Sequence, residues 1–370
     1  MTGARASSVL AVLVAAVAML AIAGCSEDDS TPTFPDRPEP EIGIWFLGVW
    51  GSGPDDVFVV GQPGLIYHWD GQAWTREESG TDVALTDVWG DGSGTVYASG
   101  HDGVMLQRQG GTWTSMDTGT DADLFGVGSY QGAIHACGRT DLLPALHVLS
   151  GGTWSAAPTT IYQRDNELAV IDTLDLASDE DPEEIIESLT TVGYYGITGA
   201  DGVILMSDPE VPWQLRRILG GTEWVTASTS KERVSGNFIA TDGGRLFQLE
   251  QIDGERLAWA ERYSPAIDAT IYGLHTGDAD TVWAVTNDGR IKRVDPPLYN
   301  GAIELHRDDL VLFDIWGSSG LDLYAVGIEG RVLHFTEIDG EYQWVNLELP
   351  LPELKHDAGP VFDKFGRPVR

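Results

Sequence analysis

The chain has 370 residues and a formal net charge of −35, from 57 acidic against 22 basic side chains. A nucleic acid or an anionic lipid surface would be repelled by such a chain, which excludes a polyanion as partner and permits a cationic one. With 45 glycines, 13 tryptophans and almost no helical periodicity, the composition favours many short strands joined by tight turns, and all-β repeat folds often use this length as one domain.

Arg5 and the apolar run "SVLAVLVAAVAMLAIAG" open the chain and lead through small residues to Cys25. The run is too short, and too soon followed by polar sequence, for a good transmembrane span. "LAIAGC" resembles the lipobox of bacterial lipoproteins, with Ile22, Ala23 and Gly24 as its aliphatic and small residues and Cys25 as the residue that receives lipid. The alternative is an ordinary signal peptide with a coincidental cysteine, against which the rarity of cysteine counts. The resemblance implies a signal peptide over 1–24, lipid at Cys25, and a body anchored to the membrane rather than spanning it. Ser26 stands where many lipoproteins kept in the inner membrane carry Asp, so the same resemblance implies an outer-membrane lipoprotein of the bacterial cell envelope, facing the periplasm or the surface. Residues 25–44 read as an acidic, proline-rich tether. The other cysteine, Cys137 in "AIHAC", reads as a small buried strand residue.

From Phe46 a phrase recurs: "FLGVWGSGPDDVFVVGQPGLIYHWDGQAWTREE" is followed by "LTDVWGDGSGTVYASGHDGVMLQRQGGTWTSMD". Trp50 and Trp89, Gly64 and Gly103, and Trp74 and Trp113 are separated by the same interval. The second copy parses into "LTDVWG", "TVYASG", "GVMLQRQ" and "TWTSMD", four short strands divided by turn residues. Weaker copies begin at "LFGVGSY", at "LAVIDTLDL" with an acidic insertion, at "WVTASTS", at "IYGLHTG" and at "LFDIWGS". Units of about 40 residues with four strands each predict a β-propeller, seven-bladed by this count, with six or eight blades as neighbouring readings. The domain spans 45–350, the insertion about 175–190, and a tail 351–370 falls outside the repeat. That tail, through "PVFDKF", and Ile42 to Trp45 are both candidates for the strand that closes the ring.

The second hairpin of each unit turns on Gly64, Gly103, Gly202, Gly244, Gly289 or Gly330, where positive φ is expected. In the insertion "SDEDPEEIIESL", Asp181 can cap a short helix with Pro182 in its first turn. A weak calcium alternative uses Asp179, Glu180, Asp181 and Glu184, but the spacing lacks the alternating ligands of a recognised loop; no other cofactor is indicated.

The third turn, "WDGQAW", "QGGTW", "SGGTW", "IDGERLAW" and "IDGEYQW", resembles a degenerate Asp-box, the structural hairpin of sialidase-like and BNR propellers. The overall pattern resembles bacterial lipoprotein BNR-like propellers, which implies fold and not activity. A sialidase-like enzyme would need converging arginines, but Arg245, Arg290 and Arg331 recur immediately after the turn glycine in consecutive units, as structural residues do. The expectation is therefore a non-enzyme: a lipid-anchored module binding a protein or glycan, with an envelope-assembly scaffold and a divergent sialidase-like glycoside-processing enzyme as alternatives. The candidate binding face is the rim of second hairpins, at His101, Asp102, Arg139, Asp201, Asp242, Asn287, Asp288 and Glu329.

Overall fold

The computed structural model describes residues 43–352, except 131, 141–143, 158–159, 165–166, 172–183, 186–188, 194–195, 200–202, 209–210, 218–222, 230–233, 254–255, 264–268, 278–280 and 298, together with residues 363–365 and 367. Between 160 and 222 it describes strand pairing alone. Cys25, the tether up to residue 42, Asp179, Glu180, Asp181, Asp201 and Gly202 lie outside the described residues.

Among the described residues the chain forms seven four-stranded sheets and one three-stranded sheet, and no sheet mixes strands from two repeat units. Unit two is representative: Leu85–Gly90, Val96–Gly100, Met105–Gln109 and Thr112–Ser115 pair antiparallel in chain order. The first strands, Trp45–Gly53, Leu85–Gly90, Asp123–Tyr130, Leu189–Gly193, Val225–Ser228, Ile271–Thr276 and Leu312–Ser319, contact one another in turn, and the last returns to the first. The architecture is an all-β propeller. Units one to three and five to seven are packed blades with described side chains; unit four is described through its strand pairing.

Each packed strand sits between two neighbouring sheets, which is why apolar residues fill both of its faces: Val96–Gly100 is buried at every position. The seams follow the same logic. Phe58, Val60 and Ile66 of unit one pack on Leu85, Val88, Val96 and Trp113 of unit two. The closing seam joins Tyr324, Val326 and Val332 of unit seven to Phe46, Val49, Val57 and Tyr67 of unit one. Among the described residues neither sequence candidate supplies an exchanged strand there. Ile44 instead accepts a hydrogen bond from the Gly330 amide (2.8 Å), and the Tyr67 hydroxyl donates to the Pro350 carbonyl (2.9 Å). Side-by-side burial is enough to close the ring.

The expected positive φ occurs at Gly64, Gly103, Gly244, Gly289 and Gly330. At Gly64 and Gly103 the need is also steric, since a Cβ would lie 1.9 Å from the carbonyl oxygen of Thr81 or Thr120. Cys137 is fully buried as expected, and burial pushes its thiol well above the usual range.

Two expectations around the insertion are overturned. "LAVIDTLDL" does not start unit four: Glu167–Ile171 pairs with Thr160–Arg164 in the separate three-stranded sheet, and Leu189–Gly193 is the first strand of unit four. A hairpin closed across residues 165–166 needs far less loop closure than a strand held across the whole insertion. In place of the helix, Glu184–Ile185 is extended and pairs with Tyr162 and Gln163. The β-branched Ile185 suits that strand better than a helix.

Candidate binding site at the channel mouth

Every first strand described with a partner bulges near its start, for example between Leu85 and Asp87 and between Leu312 and Asp314. The bulge re-aims the residues around it. The Asp314 carboxylate accepts the amide of its neighbour Ile315 (2.8 Å) and, across the closing seam, that of Val49 (2.9 Å). Asp87 does the same at the seam between units two and three, accepting from Val88 and Val127 at 2.9 Å each. The two acids occupy equivalent positions in "LTDVWG" and "LFDIWG", where unit one has Gly48.

Asp87, Asp314, His275, Trp50, Trp89, Trp316 and Lys364 line a cavity of about 280 Å³ inside the ring. The two carboxyls are only partly covered, but they lie inside the ring, and desolvation is the largest influence on their ionisation. Burial pushes the Asp314 carboxyl up to about 7, against the pull of Lys364 and with a further push from Asp87. Burial raises Asp87 in the same way, again opposed by Lys364. His275 accepts the Gly317 amide at Nδ1 (3.2 Å), which leaves Nε2 as the protonated nitrogen of the neutral ring.

Lys364 comes from the C-terminal tail, which neither lies across a blade nor adds a strand among the described residues. Asp363–Phe365 and Arg367 sit in the mouth of the channel. Asp363 organises the segment by accepting the amides of Phe365 (3.0 Å) and Arg367 (2.8 Å) and the Arg367 Nε (2.9 Å). Phe365 is fully buried, edge-on to Phe125 with ring centroids 5.4 Å apart and tilted against Trp224. The Arg367 guanidinium lies 4.8 Å over the Trp224 ring and donates to Asp242 (3.0 Å). His101 Nε2 donates to the Lys364 carbonyl (3.2 Å). Burial raises the Asp242 carboxyl and the Tyr272 phenol; Arg367 counters the first, and Asp363 adds to the second.

The candidate rim therefore divides. His101 and Asp242 touch the tail, and Arg139 stands over the Phe125 ring (5.7 Å) that the tail packs against. Asn287 accepts the Thr270 amide (3.1 Å), and Asp288 holds the Thr286 hydroxyl and Arg290, which is local turn chemistry. Asp102 and Glu329 are exposed at positive φ, at the tips of their hairpins. Arg245 pairs with Glu223 and Glu261 of its own unit, Arg290 with Asp288 and Arg331 with Glu329 of their own hairpins, so each is held within its own blade. Sequence reading missed Asp87, Asp314, Lys364, Phe365 and Arg367. For the two acids a signal existed: a charged residue recurring at one position of an otherwise apolar strand. Among the described residues no group of three or more His, Cys, Asp or Glu is placed to hold a metal ion.

No protein-family model and no curated protein matches the chain. Solved structures do match in fold. YCF48 from Cyanidioschyzon merolae aligns with 18% identity and a TM-score of 0.55, over 81% of this chain and 97% of that one. A structure described as YCF48 bound to D1 peptide aligns with 13% identity and a TM-score of 0.56, over 80% and 96%. A streptogramin B lyase aligns with 11% identity and a TM-score of 0.56, over 80% and 93%.

Proposed function

We propose that this chain is a seven-bladed, lipid-anchored propeller of the bacterial cell envelope that binds a protein partner at the channel mouth without catalysis. The observation that carries this reading is the seated tail: a peptide segment is held there by an aromatic socket, an acidic partner and a backbone-reading histidine, which are the elements of a peptide site. The chain's strongly negative charge favours a partner with basic side chains. A propeller of similar fold has been solved with a peptide, which supports a protein ligand over a glycan. The similarity to a lyase carries no activity at that identity, and the turn arginines are taken up by carboxylates of their own blades.

The test is site-specific photocrosslinking in intact cells. A crosslinker at Asp102 or Glu329 is expected to capture a protein that the same group at Ile303, exposed on the last strand of unit six, does not. Equal capture from the two positions, or none from the rim, refutes the mouth as a binding face. For the anchor, Cys25→Ser is expected to move the protein from the membrane to the soluble fraction.

A further inference from the structure

The tail segment is built like a ligand rather than like a piece of the scaffold. Among the described residues it contributes no strand to any sheet, and its backbone is held by its own Asp363–Arg367 turn and by His101. What fixes it in the mouth is side-chain chemistry: Phe365 in the Phe125–Trp224 socket, Arg367 on Asp242, and Lys364 lining the same cavity as the two channel carboxyls. The sequence around it, "VFDKFGRPVR", is basic in a chain that is otherwise strongly acidic, with Lys364, Arg367 and Arg370 against Asp363. That local charge reversal matches the acidic wall the segment faces.

We propose that Asp363–Arg367 is a resident internal ligand of the channel mouth, and that the mouth takes from a partner a turn-forming segment of the same chemistry, an aromatic side chain flanked by Lys and Arg. The inference rests on the reading of the mouth as a protein-binding face and adds to it the ligand's class and a self-masking state. A partner segment must displace the tail. Phe365 and the partner's aromatic residue compete for one socket, and Arg367 and the partner's arginine for one carboxylate. With an effective tail concentration on the order of 1 mM and a peptide Kd of about 10 μM, self-occupancy weakens binding in trans roughly 100-fold.

Fluorescence anisotropy with a fluorescein-labelled peptide "VFDKFGRPVR" tests this on the full chain. Phe365→Ala combined with Arg367→Ala is expected to open the site, so that this variant binds the peptide and the wild-type chain binds it roughly 100-fold more weakly. Adding Asp242→Asn to the open variant, or replacing the peptide's phenylalanine by alanine, is expected to abolish binding. A folded open variant that ignores the peptide, or binds the alanine peptide equally well, overturns the proposal. So does equal binding by wild type and variant. If the open variant does not fold, wild-type protein carrying 4-fluorophenylalanine at position 365 provides the readout. Unlabelled peptide at millimolar concentration is expected to shift the 19F resonance to that of a solvent-exposed ring, and an unmoved resonance at saturation overturns the proposal. Rim crosslinking that still captures a partner while these peptide tests fail would sink the internal ligand and spare the binding face.

Discussion

At the scale of single residues, Glu77 shows how one blade is clipped to the next. It sits on the last strand of unit one, and its carboxylate accepts Arg108 in a two-pronged pair (2.7 and 2.8 Å) and the Trp113 indole (2.6 Å), both from unit two. His68 of its own unit approaches to 3.3 Å. Burial alone would raise this acid, but His68, Arg108 and Trp113 outweigh it and hold the carboxyl at about 2. The unfolded chain takes up a proton near pH 4.5 that the folded chain refuses until about 2, so the stabilisation is fully present above the first value and is lost as pH falls through that window. Glu77→Gln is expected to cost roughly 2–3 kcal/mol at neutral pH, a difference that shrinks toward zero on acidification in urea melts run from pH 7 to pH 3. A pH-independent difference would mean lost packing rather than lost charge. The role of Trp113 in blade packing was legible from its recurrence, whereas that of Glu77 was not. Its partners lie in another unit, and no spacing within "TREE" points to them.

Between residues and the ring lies the strand, and there the repeated "VWG" has a mechanical meaning. The tryptophan of one unit lies on the glycine of the next: Trp50 covers Gly90, and across the closing seam Trp316 covers Gly51. A Cβ on Gly90 would come within 2.2 Å of the Trp50 ring, so the glycine is demanded by its neighbour and not by its own backbone. Gly90→Ala is therefore expected to destabilise by about 1–3 kcal/mol and to red-shift tryptophan emission as Trp50 is pushed toward solvent. Unchanged emission and stability would show that the seam is loose at this point. This interlock also explains what the sequence disclosed. Strands, turns and glycines that repeat once per blade were readable, because each blade meets the same neighbours and must solve the same packing problem. Where the register of the repeat is broken, as before unit four, the local pairing of Glu167–Ile171 with Thr160–Arg164 prevailed over the repeat pattern. The pairing of His68 with Asp56 (2.8 Å) and of His334 with Asp322 (2.6 Å) in equivalent hairpins is a further repeated contact. The histidine positions were visible in the sequence, but the bonds were not.

For the whole molecule the decisive feature is an acidic interior met by a basic tail. Asp87 and Asp314 face one channel cavity, and Lys364 enters it from a segment that no repeat logic assigns to any blade. Because its partners belong to units two and seven, the tail's position depends on the closed ring, and a reading along the chain could only offer it as a candidate strand. The acids make the ring sensitive to pH in a direction opposite to that of Glu77. Asp314 holds its proton up to about 7 in the folded chain, against 3.8 for a free aspartate, so between those values the folded state binds a proton that the unfolded state has released. Stability contributed by this group therefore falls as pH rises through the window and stays low above it. The neighbouring Asp87 carboxyl pushes Asp314 further up and the Lys364 charge pulls it back, and His275 lines the same wall. Asp314→Asn keeps an acceptor for the Val49 amide and removes the ionisation. Relative to wild type, this variant is expected to gain stability as pH rises from about 4 to about 8, on the order of 4 kcal/mol if the whole shift is expressed and less where channel water screens the charge. Thermal melts of both proteins across that range provide the measurement. A flat difference would place the Asp314 ionisation at the value of a free side chain and remove the reason for a cation at the channel's centre. A rising difference that grows further when Lys364→Met is introduced into both proteins would identify the tail lysine as the charge that makes two neighbouring carboxylates tolerable inside the ring.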